Sequence, residues 1–390
     1  MINVTQLNNI IGRKFRGVNI DDVQGISDYS VFEEAGNNLV ARIDPFETVR
    51  KSELNLFNQI YDYSAPSDLK GKKILDIRPQ GARNGVDFRQ TLTEDFDRDK
   101  EFQNEWFSVE FDEATKFLRI NKDVSNSIGI TDTESSKYTA GTGVSNVTED
   151  TILKLNGTKS IRFDASSGQN LLSFAGNAID LTAHELKASL FIDVYYPDSS
   201  LITSLKVRIG SSSANYYEIT GTIHFGSIRN GVNTYRFDWN GATETGTVDI
   251  AHIDYVRYEL TTTSADTDIR IGKLSSKLPT PYEVVYYSNA LFRPLSGSTW
   301  LSKPTTDTDL LNLETDAQNL FIYEVCVIIA DDMQYETEAQ KFRTHLGIDG
   351  LGQMTGQGLY GLYKKDKPSE AIRPSTKYYT PFRRSNRTTR

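Results

Sequence analysis

From about Trp106 to Leu278 the chain alternates with period two. Phe107, Val109 and Phe111 alternate with polar residues. The same alternation runs through Ser160–Phe163, Ala188–Tyr196, Leu205–Ile209, Tyr216–Ile219, Asn233–Trp239, Ile253–Leu260 and Asp268–Ile271. Period two puts successive side chains on opposite faces, as a half-buried strand requires. Asn230-Gly231, Asn240-Gly241 and Ser/Thr clusters supply the turns. Many short strands at this spacing build a β-sandwich, here read as a jelly roll. Such a stretch cannot continue a helical fold, so it reads as a module inserted between two flanks.

The flanks carry a different pattern. Thr5 can cap a helix presenting Leu7, Ile10, Ile11 and Phe15, ended by Gly17. Asp28 or Ser30 starts a second helix through Val31, Phe32, Ala35, Leu39, Val40 and Ile43, stopped by Pro45. Leu54, Leu56 and Ile60 suit a strand that continues to Tyr63; Pro66 turns the chain, and Lys73 to Arg78 forms a second strand. Thr93 to Phe102 reads as a short charged helix. After Pro281, Tyr282–Tyr287 and Ala290–Arg293 are strand-like. Thr315 or Asp316 opens a helix with Leu320, Phe321, Val325, Ile328 and Ile329, and another runs from Tyr335 to Leu346 with Gly347 as its stop. Gly350 to Gly361 holds five glycines and reads as a flexible join. The expected fold class is therefore α+β: a mostly helical core with a small β-hairpin, interrupted by an all-β jelly roll. The expected division is 1–105 for the first half of the core, 106–278 for the insertion, 279–346 for the second half, and 347–390 for the join and a C-terminal arm.

Composition narrows the function. A net charge of −9 argues against a general nucleic-acid binder, which would be basic. The single cysteine, Cys326, sits in an apolar helical run, where it fits a small core residue and a reducing compartment. No apolar run reaches the ~18 residues of a membrane span, and Met1 to Leu7 lacks the features of a signal peptide. His184, His224, His252 and His345 have no metal-ligand spacing, and no phosphate loop, dinucleotide turn or nucleophile elbow occurs. Asp193, Asp238 and Asp254 lie on expected strands and read as strand-surface residues rather than as a hydrolytic carboxylate pair. No enzyme activity, metal or cofactor is expected.

Two features read as contact surfaces. Tyr216, Tyr217 and Trp239 could stack on a sugar, although aromatic residues in strands more often pack a core. The tail from Ile372 is basic and aromatic: Arg373, Lys377, Arg383, Arg384 and Arg387 interleave with Tyr378, Tyr379 and Phe382, and no acid occurs. Arg and Tyr anchor interfaces, so this arm is expected to lie on a partner.

The run Gln59-Ile-Tyr-Asp-Tyr-Ser-Ala-Pro-Ser-Asp-Leu69, followed by Ile74-Leu-Asp-Ile77, resembles the aromatic–x–Leu–Pro–x–Asp–Phe hairpin of head-to-tail connector (adaptor) proteins of tailed bacteriophages. Ala65 stands for the usual Leu and Leu69 for the Phe. The C-terminal helix pair with its Tyr-rich basic end also resembles that family. The middle, especially Asn233 to Gly241 and His252 to Leu260, resembles a carbohydrate-binding-module jelly roll. The connector resemblance implies a homo-oligomeric ring of about twelve copies, docked by its arms under the portal protein and receiving the next neck or tail component. Packaged DNA would pass through an acidic channel without sequence-specific binding. The protein would be made in the host bacterial cytoplasm and reside in the neck of the virion. The alternative is a glycan-binding fibre or decoration protein that attaches to a host surface glycan through the jelly roll.

Overall fold

The computed structural model describes residues 2–15, 24–82, 88–90, 106–112, 115–122, 124, 126–297 and 299–366. Of the described residues 42% lie in strands and 23% in helices. That balance overturns the expectation of a mostly helical core: the flanks contribute strands of their own, and the inserted region is β throughout. The chain divides into two units. The first comprises 1–54, 65–90 and 282–390; the second comprises 55–64 and 91–281. The stretch expected as a charged helix, Thr93 to Phe102, and the arm from Ile372 lie outside the described residues.

In the first unit, helices Val4–Lys14, Ser30–Arg42, Thr315–Asp332, Glu336–Leu346 and Gly358–Asp366 surround one core. The first starts two residues earlier than expected. Asn3 rather than Thr5 is the N-cap: its side chain accepts from Gln6 N at 2.8 Å, and the Gln6 side chain accepts from Asn3 N at 3.1 Å. Leu7, Ile11, Phe32, Leu39, Leu320, Phe321, Val325 and Cys326 are all buried together. Gly347 ends its helix in the left-handed conformation, φ 81°, which a side chain disfavours. The glycine-rich stretch is not only a join, because Gly358–Asp366 is helical and buries Tyr360 and Tyr363 in the same core.

The same unit holds a three-stranded sheet in the order Val49–Leu56, Thr280–Ser288, Leu69–Pro79. The expected Pro66 hairpin does not form. Leu69–Pro79 pairs with Thr280–Ser288, whereas Asp62–Ser64 belongs to the second unit and pairs with Thr115–Asn121. The two halves of the connector-like motif are thus strands of different sheets.

The second unit is a β-sandwich of antiparallel strands. Sheet I runs Val144–Asp150, Ser160–Ala165, Asp266–Ile271, Ser189–Tyr196, Gly231–Asp238, Thr222–Ile223, and Ser275–Lys277 pairs with the interior strand Ser189–Tyr196 and with Ser127–Gly129. Sheet II runs Thr243–Thr245, Tyr216–Thr220, Ile202–Gly210, Ile253–Thr262, Gly168–Ile179, Tyr138–Ala140. Leu190, Ile192, Val194, Phe237 and Trp239 of one layer meet Val207, Ile209, Val256, Tyr258 and Leu260 of the other in one core. Two strands open on one device. Gly168 (φ 99°) and Gly231 (φ 100°) each precede by two residues a buried asparagine. Asn170 accepts from Ser166 N at 2.8 Å and donates to Ser166 O and Gly168 O. Asn233 repeats this with Arg229 N at 2.9 Å, Arg229 O and Gly231 O.

Segment 55–64 lies on the outer face of sheet I. Phe57 packs on Phe191 at 4.9 Å, and Lys277 Nζ donates to Asn58 O at 2.6 Å. His224 Nε2 donates to Asp62 O at 2.9 Å. Burial, reinforced by the Arg236 charge, pushes the His224 imidazole down to about 4. The unfolded chain takes up a proton near pH ~6.5, and the folded unit refuses it until about 4. Stability therefore falls as the pH drops through that window, by at most about 3 kcal/mol. Urea titrations between those pH values are expected to show the loss, and His224→Gln to flatten it. An unchanged slope in the variant would assign the acid loss to other groups.

Candidate functional site

The outer face of sheet II is built from alternate residues of its central strands. Tyr216 lies beside Gly210, and Gly210 beside Tyr255. The next row is Glu218, Arg208, Arg257 and Ser173, and the one after is Thr220, Lys206, Glu259 and Leu171. The other faces of these strands carry Tyr217, Ile219, Val207, Ile209, Val256 and Tyr258, which are core. Alternation therefore directs the two tyrosines and the charged rows outward.

Gly210 makes the tyrosine pair possible. With no side chain between them, the rings of Tyr216 and Tyr255 lean together to 6.5 Å between centroids, at 47°. A Cβ on residue 210 would lie 2.1 Å from Asn215 O and 2.6 Å from Tyr216 Cα, so the return of the chain also requires glycine there. Arg208 lies over the Tyr216 ring at 4.9 Å, a cation–π contact that fixes one side of the pair.

Charge on this face is mostly compensated. Arg208 Nε donates to Glu218 Oε2 at 2.7 Å, and its Nη2 to Glu259 Oε2 at 3.3 Å. Lys206 Nζ donates to Glu218 Oε1 at 3.2 Å. Against the upward push of partial burial, Arg208 and Lys206 hold Glu218 below the ordinary carboxylate range. Arg257 stands directly opposite Arg208, and like charges so placed repel. Arg208 has two carboxylates to offset this. Arg257 Nε has no hydrogen-bond partner among the described residues. The face thus presents two aromatic rings, the Arg257 guanidinium and a row of polar groups. That set can stack on an apolar face and bond to hydroxyls or an anionic group at its edge.

Of the three residues expected to touch a glycan, only Tyr216 faces outward. Tyr217 is buried, its hydroxyl donating to Glu185 Oε1 at 2.8 Å. Trp239 is 0% exposed and offers a ligand no face. Tyr255 and Arg257 were missed, although the alternation in Ile253–Thr262 places them with Glu259 on one face. The arm residues Arg373, Lys377, Tyr378, Tyr379, Phe382, Arg383, Arg384 and Arg387 lie outside the described residues. Among the described residues no cluster of metal-ligating side chains occurs, and no helix is long and apolar enough to cross a membrane.

No family model matches the sequence, and no curated protein does. Solved structures give only distant likenesses. One is the family 30 carbohydrate-binding module of a cellulosomal cellulase from Clostridium thermocellum, at 8% identity and TM-score 0.29, covering 40% of this chain and 97% of that one. Another is the family 11 carbohydrate-binding module from Clostridium thermocellum in complex with a β-1,3-1,4-mixed-linked tetrasaccharide, at 9% identity and TM-score 0.27, covering 36% and 86%. A third is a carbohydrate-binding module of the β-sandwich superfamily, at 6% identity and TM-score 0.28, covering 60% and 98%. Scores this low give the likenesses no weight in assigning a function. None of these findings supports a connector identity.

Proposed function

We propose that this protein binds glycans, without turnover, through the outer face of sheet II. The observation that carries the reading is the outward pair Tyr216 and Tyr255 over Gly210, with the Arg257 guanidinium in the next row. The C–H face of a pyranose ring is apolar and suits an aromatic surface, while its hydroxyls suit Arg257 and Ser173. The connector reading has no comparable observation: the hairpin that suggested it is divided between two sheets.

The test is a glycan array followed by titration of the best ligand. Each aromatic contact contributes about 0.5–1.5 kcal/mol, so the double variant Tyr216→Ala with Tyr255→Ala is expected to bind about tenfold more weakly or worse. Its denaturation midpoint should barely move, because both rings lie on the surface layer. Retention of no glycan, or equal affinity in the double variant, would remove the proposal.

A further inference from the structure

A second polar site lies on the other sheet. A cavity of about 280 Å³ opens on the outer face of sheet I, against segment 59–62. Asp193, Thr234, His224, Asn156, Gln59 and Val232 are among its lining residues. Thr234 Oγ1 donates to Asp193 Oδ1 at 2.6 Å and so orients the carboxylate. His224 Nε2 donates to Asp62 O, which fixes the tautomer and leaves Nδ1 as an acceptor. That Nδ1 is buried and has no hydrogen-bond partner. An orphaned buried acceptor costs stability and calls for a donor. The backbone around the cavity is also strained. Gln59 (φ 56°) and Asn156 (φ 50°) are both left-handed, and for glutamine this conformation is uncommon. Strain of this kind gathers at binding sites.

The lining states which ligand would fit. The lining carries acceptors, Asp193 and His224 Nδ1, beside donor-bearing side chains, Gln59, Asn156, Ser227 and Arg229, so a ligand of hydroxyls, which both donate and accept, suits it. Val232 and Ile223 add apolar surface, so the ligand must also have a nonpolar side. The volume falls below the ~300 Å³ of the smallest drug-sized pockets, which limits the ligand to one ring. Lys277 acts electrostatically on both Asp193 and His224, and Arg236 acts on His224. This positive surround disfavours a cation. We propose that the cavity binds one neutral, hydroxyl-rich ring, a single pyranose or cyclic polyol, whose hydroxyls donate to Asp193 and to His224 Nδ1. The site is separate from the tyrosine face and does not depend on it.

The chain has four histidines, so histidine-selective ¹³C labelling of the full chain gives a small, assignable spectrum. The probes are D-glucose, D-galactose, L-rhamnose and myo-inositol. At least one is expected to shift the His224 ring resonance saturably, leaving His184, His252 and His345 in place. Asp193→Asn keeps an acceptor for Thr234 but loses the charge, and should weaken this binding about tenfold. Thr234→Val, which removes only the orienting hydroxyl, should weaken it several-fold and serves if the first variant does not fold. The Tyr216→Ala, Tyr255→Ala double variant should respond like the natural protein, so the two sites fail or stand separately. No His224 shift with any of the four probes would overturn the proposal. So would a shift produced by calcium chloride or ethylammonium instead, or full binding by the folded variants.

Discussion

Replacing Arg42 by methionine is expected to destabilise the first unit by about 3–5 kcal/mol. Glu324 is the one acid in the middle of helix Thr315–Asp332 and is 2% exposed. Two groups make this burial tolerable. Arg42, at the end of helix Ser30–Arg42, forms an ion pair with Glu324 Oε1, and the Tyr360 hydroxyl donates to the same oxygen at 2.6 Å. Three helices far apart in sequence therefore meet on one carboxylate. Without Arg42 the charge stays buried and loses its counter-ion, and such breakage costs far more than the pair itself contributes. Urea denaturation, read by probes in each unit, should show the first transition moving to lower urea and the second staying in place. Tyr360→Phe removes one charge-assisted hydrogen bond and should cost about 1.5–3 kcal/mol. The double variant Arg42→Met with Glu324→Met should recover most of the loss, since no charge is then stranded. A loss below about 1 kcal/mol for Arg42→Met would mean that water already reaches Glu324.

The elements legible in the sequence are those fixed by local pattern. Alternation located Ser189–Tyr196, Gly231–Asp238 and Ile253–Thr262, because each strand buries one face whatever it pairs with. Pro45 and Gly347 marked chain ends of helices for steric reasons that need no neighbour. Pairing was not legible. Leu69–Pro79 reads as half of a hairpin beside Asp62–Ser64, yet its partner lies some two hundred residues onward at Thr280–Ser288. Nothing local encodes that choice; the flank helices, fixed by local pattern, form where expected, and the mostly helical balance is what the strands overturn. The tyrosine face was half legible: in Tyr216–Thr220, Tyr217 shares a face with Ile219 and so must turn inward, which leaves Tyr216 outside. The sheet I cavity was not legible, because it depends on how segment 55–64 folds back and on the left-handed backbone at Gln59.

Trp239→Ala should then be the most damaging single change in the sandwich, at about 3–5 kcal/mol. The alternation Asn233, Tyr235, Phe237, Trp239 already aligns this residue with core positions, and the structure buries it completely. Its ring meets Tyr217 edge-on at 5.8 Å and 68°. Removing it would leave a void between the sheets where Tyr217, Phe237 and their neighbours cannot collapse without moving strands. The indole Nε1 has no hydrogen-bond partner among the described residues. Phenylalanine therefore loses only volume, and Trp239→Phe should cost well under half as much. Near-UV circular dichroism during denaturant unfolding gives both numbers. The contrast with the surface pair decides the role of each aromatic. Trp239→Phe should leave glycan affinity untouched while lowering stability, and the Tyr216→Ala, Tyr255→Ala variant should do the reverse. If Trp239→Phe instead weakened glycan binding at unchanged stability, the indole would have to reach the ligand, and its burial between the sheets would not describe the binding state.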